Sequence, residues 1–244
     1  MKHYTATFTL FLMLSVSLFA QKEDIKSGEA IIQAKMVLIQ TEFGDMKVVL
    51  HEATPLHRDN FVKLVEQGFY DSLLFHRVIR NFMIQGGDPL SKTADSVQAL
   101  GMGDVGYTVP AEFVDTLFHR KGALCAARTQ NPEKASSGCQ FYIVHGQVLT
   151  NEQINMFELQ QGVKLTDTQK LVYSTEGGTP MLDKNYTVFG QVIDGLDVID
   201  KIAAVKTRPG DRPVQNVRMT MKMINEDPKQ IEIESKIKKK KKKD

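Results

Sequence analysis

The strongest constraint on the fold lies in residues 36–50, where the strand-length apolar runs MVLIQT and MKVVL flank the turn EFGD. Strand, glycine-containing turn and strand within so few residues start a sheet. The pattern recurs along the chain. Residues 69–78 and 82–85 read as extended and close at Gly86-Gly87-Asp88, 122–127 and 140–144 are short apolar runs, and 186–192 is another strand. Val217, Met219, Met221 and Met223 alternate with Arg218, Thr220 and Lys222, as a half-buried final strand requires. Helices are few. Thr54-Pro55 and Gly68 bracket an amphipathic helix over 55–67, with Phe61, Leu64 and Val65 on one face. A second short helix over 196–205 turns Val198, Ile199 and Ile202 inward. The capping-box patterns Thr150-x-x-Gln153 and Thr166-x-x-Gln169, with Gly162 and Gly177 as stops, mark a helical insertion at about 150–177. Residues 89–121, rich in Gly, Asp, Ser and Thr, read mainly as surface loops. Short strands, irregular loops and two well-separated helices predict one mainly β domain, a closed antiparallel barrel with helices at its ends.

The two ends of the chain read differently from this body. Residues 1–20 have a short polar start at Lys2 and His3, an uncharged and mostly apolar run from Ala6 to Phe19, and the small Ala20 before QKED. That is the layout of a secretory signal peptide, with an apolar run shorter than the ~20 residues a membrane-spanning helix needs. The expectation is an exported protein, periplasmic or secreted, cleaved near Ala20 and with no stable membrane insertion afterwards. At the other end, residues 229–244 hold eight Lys against Glu232, Glu234 and Asp244, a local +5 in a chain of net charge +2, so the other 228 residues sum to −3. Six consecutive lysines, Lys238–Lys243, repel one another and predict a solvated tail. No aromatic residue interleaves with them, and no nucleic-acid partner is expected.

A hydrophobic fraction of 42% excludes disorder throughout, and 17 Gly with 8 Pro exclude a collagen-like fibre. Two cysteines form neither a disulfide scaffold nor a four-cysteine zinc site, though an oxidising compartment would allow a Cys125–Cys139 bridge. The six histidines show no metal-like spacing, and no metal or cofactor is expected. Gly101-x-Gly103-x-x-Gly106 has dinucleotide spacing but opens no helix.

The distinctive stretch is Phe75-His-Arg-Val-Ile-Arg-Asn-Phe-Met-Ile-Gln-Gly-Gly-Asp88, which places an Arg, an apolar pair and an amide on what would be one barrel wall. Composition alone would make Arg77 a surface ion-pair residue. The segment as written, however, resembles the signature of the cyclophilin-type peptidyl-prolyl cis–trans isomerases. Further matches follow in the family's order: GYTVPAEF (106–113), RKGALCAAR (120–128), SSGCQFYIV (136–144) and TVFGQV (187–192). The resemblance implies a closed eight-stranded antiparallel barrel capped by two helices, over residues 36–225. Residues 1–20 would be the signal, 21–35 an N-terminal extension and 226–244 the Lys-rich tail.

The resemblance also implies roles. Arg77 matches the catalytic arginine. Phe82, Met83 and Tyr142 match the proline pocket, with Leu182 at its edge; Gln85 and Gln140 match groove glutamines, Ala127 and Arg128 positions that meet substrate backbone, and His76 a histidine beside the arginine. Met181 stands where well-known relatives carry Trp, and Tyr186 where they carry His, both on the groove rim. Arg80 replaces a frequent Pro and Cys139 a Ser. The 150–177 insertion has no counterpart in the shortest members; its two helices could shape the groove or dock a partner, with a structural appendage the preferred reading. The implied partners are proline-containing polypeptides, with a monomer favoured. The implied activity is Xaa-Pro isomerisation in the folding of exported proteins, the alternative being a non-catalytic proline-peptide-binding chaperone on the same fold.

Overall fold

The computed structural model describes residues 34–95 and 98–241; the expected signal segment lies outside the described residues. The strands are β1 (Met36–Thr41), β2 (Gly44–Leu50), β3 (Phe75–Ile79), β4 (Met83–Gly86), β5 (Thr108–Val109), β6 (Ala123–Ala126), β7 (Ser136–Ser137), β8 (Phe141–Val144), β9 (Val188–Asp194) and β10 (Met219–Ile224). The helices are α1 (Pro55–Glu66), α2 (Asn151–Gln161), α3 (Asp167–Thr175), α4 (Leu196–Ala203) and α5 (Pro228–Lys241).

Eight strands form one curled antiparallel sheet in the order β10-β1-β2-β9-β6-β8-β4-β3, and β5 pairs with β7 apart from it. The expected closed barrel is met in strand number and antiparallel pairing, while the ladder itself is open-ended. Its two ends meet through an isolated bridge, Leu74 to Arg218, flanked by the bonds Ser72 N–H to Met219 O, Met219 N–H to Leu73 O and Phe75 N–H to Val217 O, each 2.9 Å.

Register explains the apolar runs. In β8, Phe141 and Ile143 face inward while Tyr142 and Val144 face the opposite side, and all four are buried. The inner face packs Ile84, Leu124, Phe141, Ile143 and Phe189 against α1 through Phe61 and against α4 through Val198, Ile199 and Ile202. Both expected capping helices thus bury their apolar stripes in the core, as amphipathic helices must.

Helix starts follow two designs. Thr150 and Thr166 each complete the capping box expected of them. Thr54, expected to cap α1, makes no such bond; its hydroxyl lies 3.4 Å from the His51 carbonyl. Instead the Glu112 carboxylate receives the N–H groups of Leu56 (3.0 Å) and His57 (2.9 Å) and contacts His57 Nδ1 at 2.7 Å. A carboxylate there satisfies two orphan donors and opposes the positive end of the helix dipole, which a hydroxyl cannot do.

The C-terminal backbone is helical from Pro228 to Lys241: Asp227 accepts from Lys229 N–H at 2.9 Å, Pro228 occupies the first turn, and Ile231 is buried, with α5 lying beside β9 and Lys229 exposed. One further expectation changes. Cys125 and Cys139 are free and sit in different apolar clusters on either side of the sheet, so the bridge is not formed.

Candidate active site

The outer face of the sheet carries a row set by register alone. Arg77 of β3 stands opposite Gln85 of β4, Gln85 opposite Tyr142 of β8, Tyr142 opposite Cys125 of β6, and Cys125 opposite Val188 of β9. Side chains two residues on share that face, so Met83, Val144 and Ala123 continue it, and Phe82, Leu182 and Tyr186 pack over the resulting apolar cluster. Arg77, Phe82, Met83, Gln85, Ala127, Arg128, Tyr142, Leu182 and Tyr186 line a cavity of about 180 Å³. Nine of the residues singled out from sequence therefore converge.

Each polar member is held. Arg77 is partly exposed, and its Nε donates to Asp211 Oδ2 at 3.3 Å. Among the described residues no partner takes its terminal nitrogens, which leaves a guanidinium oriented but unspent at the cavity's edge. Gln85 Nε2 donates to Gln140 Oε1 (3.1 Å), and Gln140 Nε2 donates to the carbonyls of Gly101 (3.1 Å) and Gly103 (2.7 Å). Gln140 thereby fixes Gln85 from behind rather than lining the cavity. Arg128 donates through Nε to the Asn185 carbonyl at 2.9 Å and lies 4.7 Å over the Tyr186 ring, a cation–π contact that sets one rim.

Tyr142 is anchored by a buried chain of bonds. Asp183 Oδ1 contacts His119 Nδ1 at 2.8 Å and accepts the His119 backbone N–H at 2.9 Å. With Nδ1 donating to that carboxylate, Nε2 accepts from the Tyr142 hydroxyl at 2.9 Å. Tyr173 of α3 donates to Asp183 Oδ2 at 2.6 Å. His119 and Tyr173 are fully buried. Gly178 permits this close packing, because a Cβ there would meet the His119 carbonyl and the Tyr173 ring. Burial pushes both tyrosine hydroxyls well above their usual range, so they remain protonated donors. His119, Asp183, Tyr173 and Asp211 were not singled out from sequence. They lie 23 to 134 residues from Tyr142 or Arg77 and carry no local motif; the Pro209-Gly210 turn before Asp211 is the nearest signal.

Besides Gln140, two expected members lie outside the cavity. His76 does not line the cavity: the β3–β4 register slips between Phe75 and Arg77, and His76 sits in that irregularity. It is buried, neither ring nitrogen has a hydrogen-bond partner among the described residues, and desolvation lowers its pKa to about 4. Met181 is half-exposed and turns from the Arg77 cavity into a neighbouring groove of about 410 Å³ bordered by α2 and α3. Its neighbour Leu182 faces the Arg77 cavity, so the 3-10 helix Pro180–Leu182 is the wall between the two spaces.

The arrangement is an apolar pocket with a fixed cation and an amide at its rim. Desolvation raises the Cys125 thiol well above its ordinary range and Cys139 to about 11, which removes both as nucleophiles. Among the described residues no group of three His, Cys, Asp or Glu side chains could hold a metal ion.

Residues 36–223 match the family described as "Cyclophilin type peptidyl-prolyl cis-trans isomerase/CLD". A Staphylococcus aureus (strain COL) protein named "Putative peptidyl-prolyl cis-trans isomerase" is 37% identical over 206 residues, covering 80% of this chain and 91% of that protein. A Streptococcus pyogenes serotype M6 protein named "Putative bifunctional phosphatase/peptidyl-prolyl cis-trans isomerase" is 38% identical over 187 residues, covering 74% of this chain but only 37% of that longer protein. Among solved structures, a cyclophilin type peptidyl-prolyl cis-trans isomerase of Cryptosporidium parvum aligns with TM-score 0.60 and 22% identity over 79% of this chain and 99% of its own. A second structure of it, in the presence of dipeptide ala-pro, aligns with TM-score 0.59 and 22% identity, over 78% and 99% of the two chains. With its curled eight-stranded sheet, and with the family match running from β1 into β10, the chain belongs to the cyclophilin-type peptidyl-prolyl cis–trans isomerases.

Proposed function

We propose that the cavity beside Arg77 is where this isomerase turns Xaa-Pro bonds, with the proline ring against Phe82, Met83, Tyr142 and Leu182 and the guanidinium at the prolyl nitrogen. The observation that carries the reading is the juxtaposition of a half-exposed, oriented Arg77 with an apolar cavity of ring size. An Xaa-Pro ligand, the class in whose presence the Cryptosporidium parvum relative was crystallised, is the substrate this lining suits.

The chemistry needs no covalent step. Amide resonance sets a rotation barrier of about 18–20 kcal/mol, and it draws on the nitrogen lone pair. Twisting by a quarter turn returns that pair to nitrogen, where a cation binds it better than in either planar isomer. Lowering the barrier by about 7 kcal/mol speeds rotation on the order of 10⁵-fold. The apolar wall holds the ring while the acyl side turns and keeps water from competing for the guanidinium. Arg suits the role because it stays charged while one nitrogen is committed to Asp211 and others face the substrate. Gln85, Ala127, Arg128 and Tyr186 would meet the substrate backbone along the rim.

Three finer readings belong to the same proposal. The Leu74–Arg218 bridge acts as the seam of a closed barrel, within a domain of residues 36–225. The apolar run of residues 1–20 directs export, which cell fractionation tests; among the described residues no helix is long and apolar enough to cross a membrane. The clients are then exported proline-containing chains, met as a monomer. Isomerisation of a short Xaa-Pro peptide by the purified protein, with Arg77→Ala alongside, tests the site: turnover in the parent and its collapse in the variant is expected, and equal turnover in both would refute it.

A further inference from the structure

The groove beyond the wall Pro180–Leu182 is part of no role assigned so far. Its apolar lining comes from Phe157, Val163, Leu165, Pro180 and Met181, and a Lys184–Asp115 ion pair of 3.0 Å stands at its margin. Val163 is 47% exposed and Met181 55%. Two such side chains facing water across one concave space are characteristic of a binding surface rather than of a finished core.

Three observations tie this groove to the Arg77 cavity. Consecutive residues of one wall face the two spaces, Met181 into one and Leu182 into the other. Asn185 borders the groove while its carbonyl holds Arg128, which lines the cavity. The chain Tyr173–Asp183–His119–Tyr142 fastens α3 of the insertion to the cavity's own wall, so the two spaces keep a constant spacing.

We propose that the 150–177 insertion gives this isomerase a second subsite, which takes an apolar side chain of the same polypeptide whose proline occupies the Arg77 cavity. The inference rests on the reading of that cavity as the proline site. An extended chain advances about 3.3 Å per residue, so an apolar residue moved stepwise away from the proline samples the neighbouring space in steps of that length. The groove's size and its shared wall with the Arg77 cavity suit this occupant: about 410 Å³ accommodates one or two large side chains. The insertion is then a specificity element, and it selects by sequence around the proline where the Arg77 cavity selects only the ring.

The test uses the purified full-length protein and a family of peptides with one central proline, alanines elsewhere, and a single Phe moved through positions two to five on either side. One or two Phe positions should lower KM about tenfold with kcat unchanged. Val163→Asp should abolish that gain while leaving turnover of a short alanine–proline peptide, and the melting temperature, as in the parent. The proposal is overturned if no position lowers KM, if the gain survives Val163→Asp, or if the groove proves to be a self-association surface, seen as sedimentation of a dimer that Val163→Asp dissociates. The underlying site reading fails separately, through Arg77→Ala turning over every peptide as well as the parent does. Fluorescence anisotropy of the labelled peptides reads the Phe preference independently of turnover.

Discussion

The two faces of the strands β8 and β4 solve opposite problems with residues one position apart. On the inner face Phe141 packs edge-on to Phe61 (5.7 Å), Tyr70 (5.6 Å) and Phe75 (6.1 Å), and shape alone fixes it. On the outer face Tyr142 borders an open cavity that packing cannot fill, and three hydrogen bonds through His119 and Asp183 to Tyr173 hold it instead. A core is made specific by contact, whereas an empty binding site is kept in shape by directed bonds from behind.

The contrast predicts a ladder of effects. Phe141→Ala should cost about 3–5 kcal/mol of stability, read from urea unfolding, with activity per folded molecule largely kept; a loss under ~1 kcal/mol would mean the inner face is not close-packed. Arg77→Ala should do the reverse, lowering kcat/KM on the order of 10²–10³-fold with an unchanged melting temperature. A fall in melting temperature matching that of Phe141→Ala would erase the distinction between the faces.

His76 is buried at the irregularity in β3 beside Arg77, and its folded pKa of about 4 is below the ordinary 6.5. The unfolded chain therefore binds this proton first, so the stabilisation is fully present above pH 6.5 and is lost as pH falls towards 4. The loss amounts to about 3 kcal/mol, and a His76→Leu variant should show a flatter pH–stability curve over that window. An unchanged slope would show that other groups carry it. Tyr173→Phe should cost roughly 1–2 kcal/mol by leaving Asp183 short of a donor, and should raise KM more than it lowers kcat. Thr150→Ala, at a local cap, should cost only about 1 kcal/mol, confined to faster amide exchange in α2.

What could be read from sequence divides along a similar line. Alternation in Val217–Met223, the Thr150 and Thr166 capping boxes and the motif around Arg77 depend on neighbours a few residues apart, and their positions in the fold follow. The Thr54 cap failed because Glu112, distant by 56 residues from Leu56, offers a better acceptor. The Tyr142 support was invisible because His119 and Asp183, 64 residues apart, become partners only after the sheet has folded. Met181 shows a third limit. Its place beside Leu182 was legible, but consecutive residues on a tight helix point to different sides, and only the insertion's position decides what lies there.

The last strand has a temporal consequence. Residues 219–224 pair with β1 along its whole length, and residues 217–219 also bond to residues 72–75 at the far end of the sheet. A chain emerging from the ribosome therefore exposes both unsatisfied edges until residues 217–224 have been made. The sheet thus gains its last ladder and its closing bonds together, when residues 217–224 arrive.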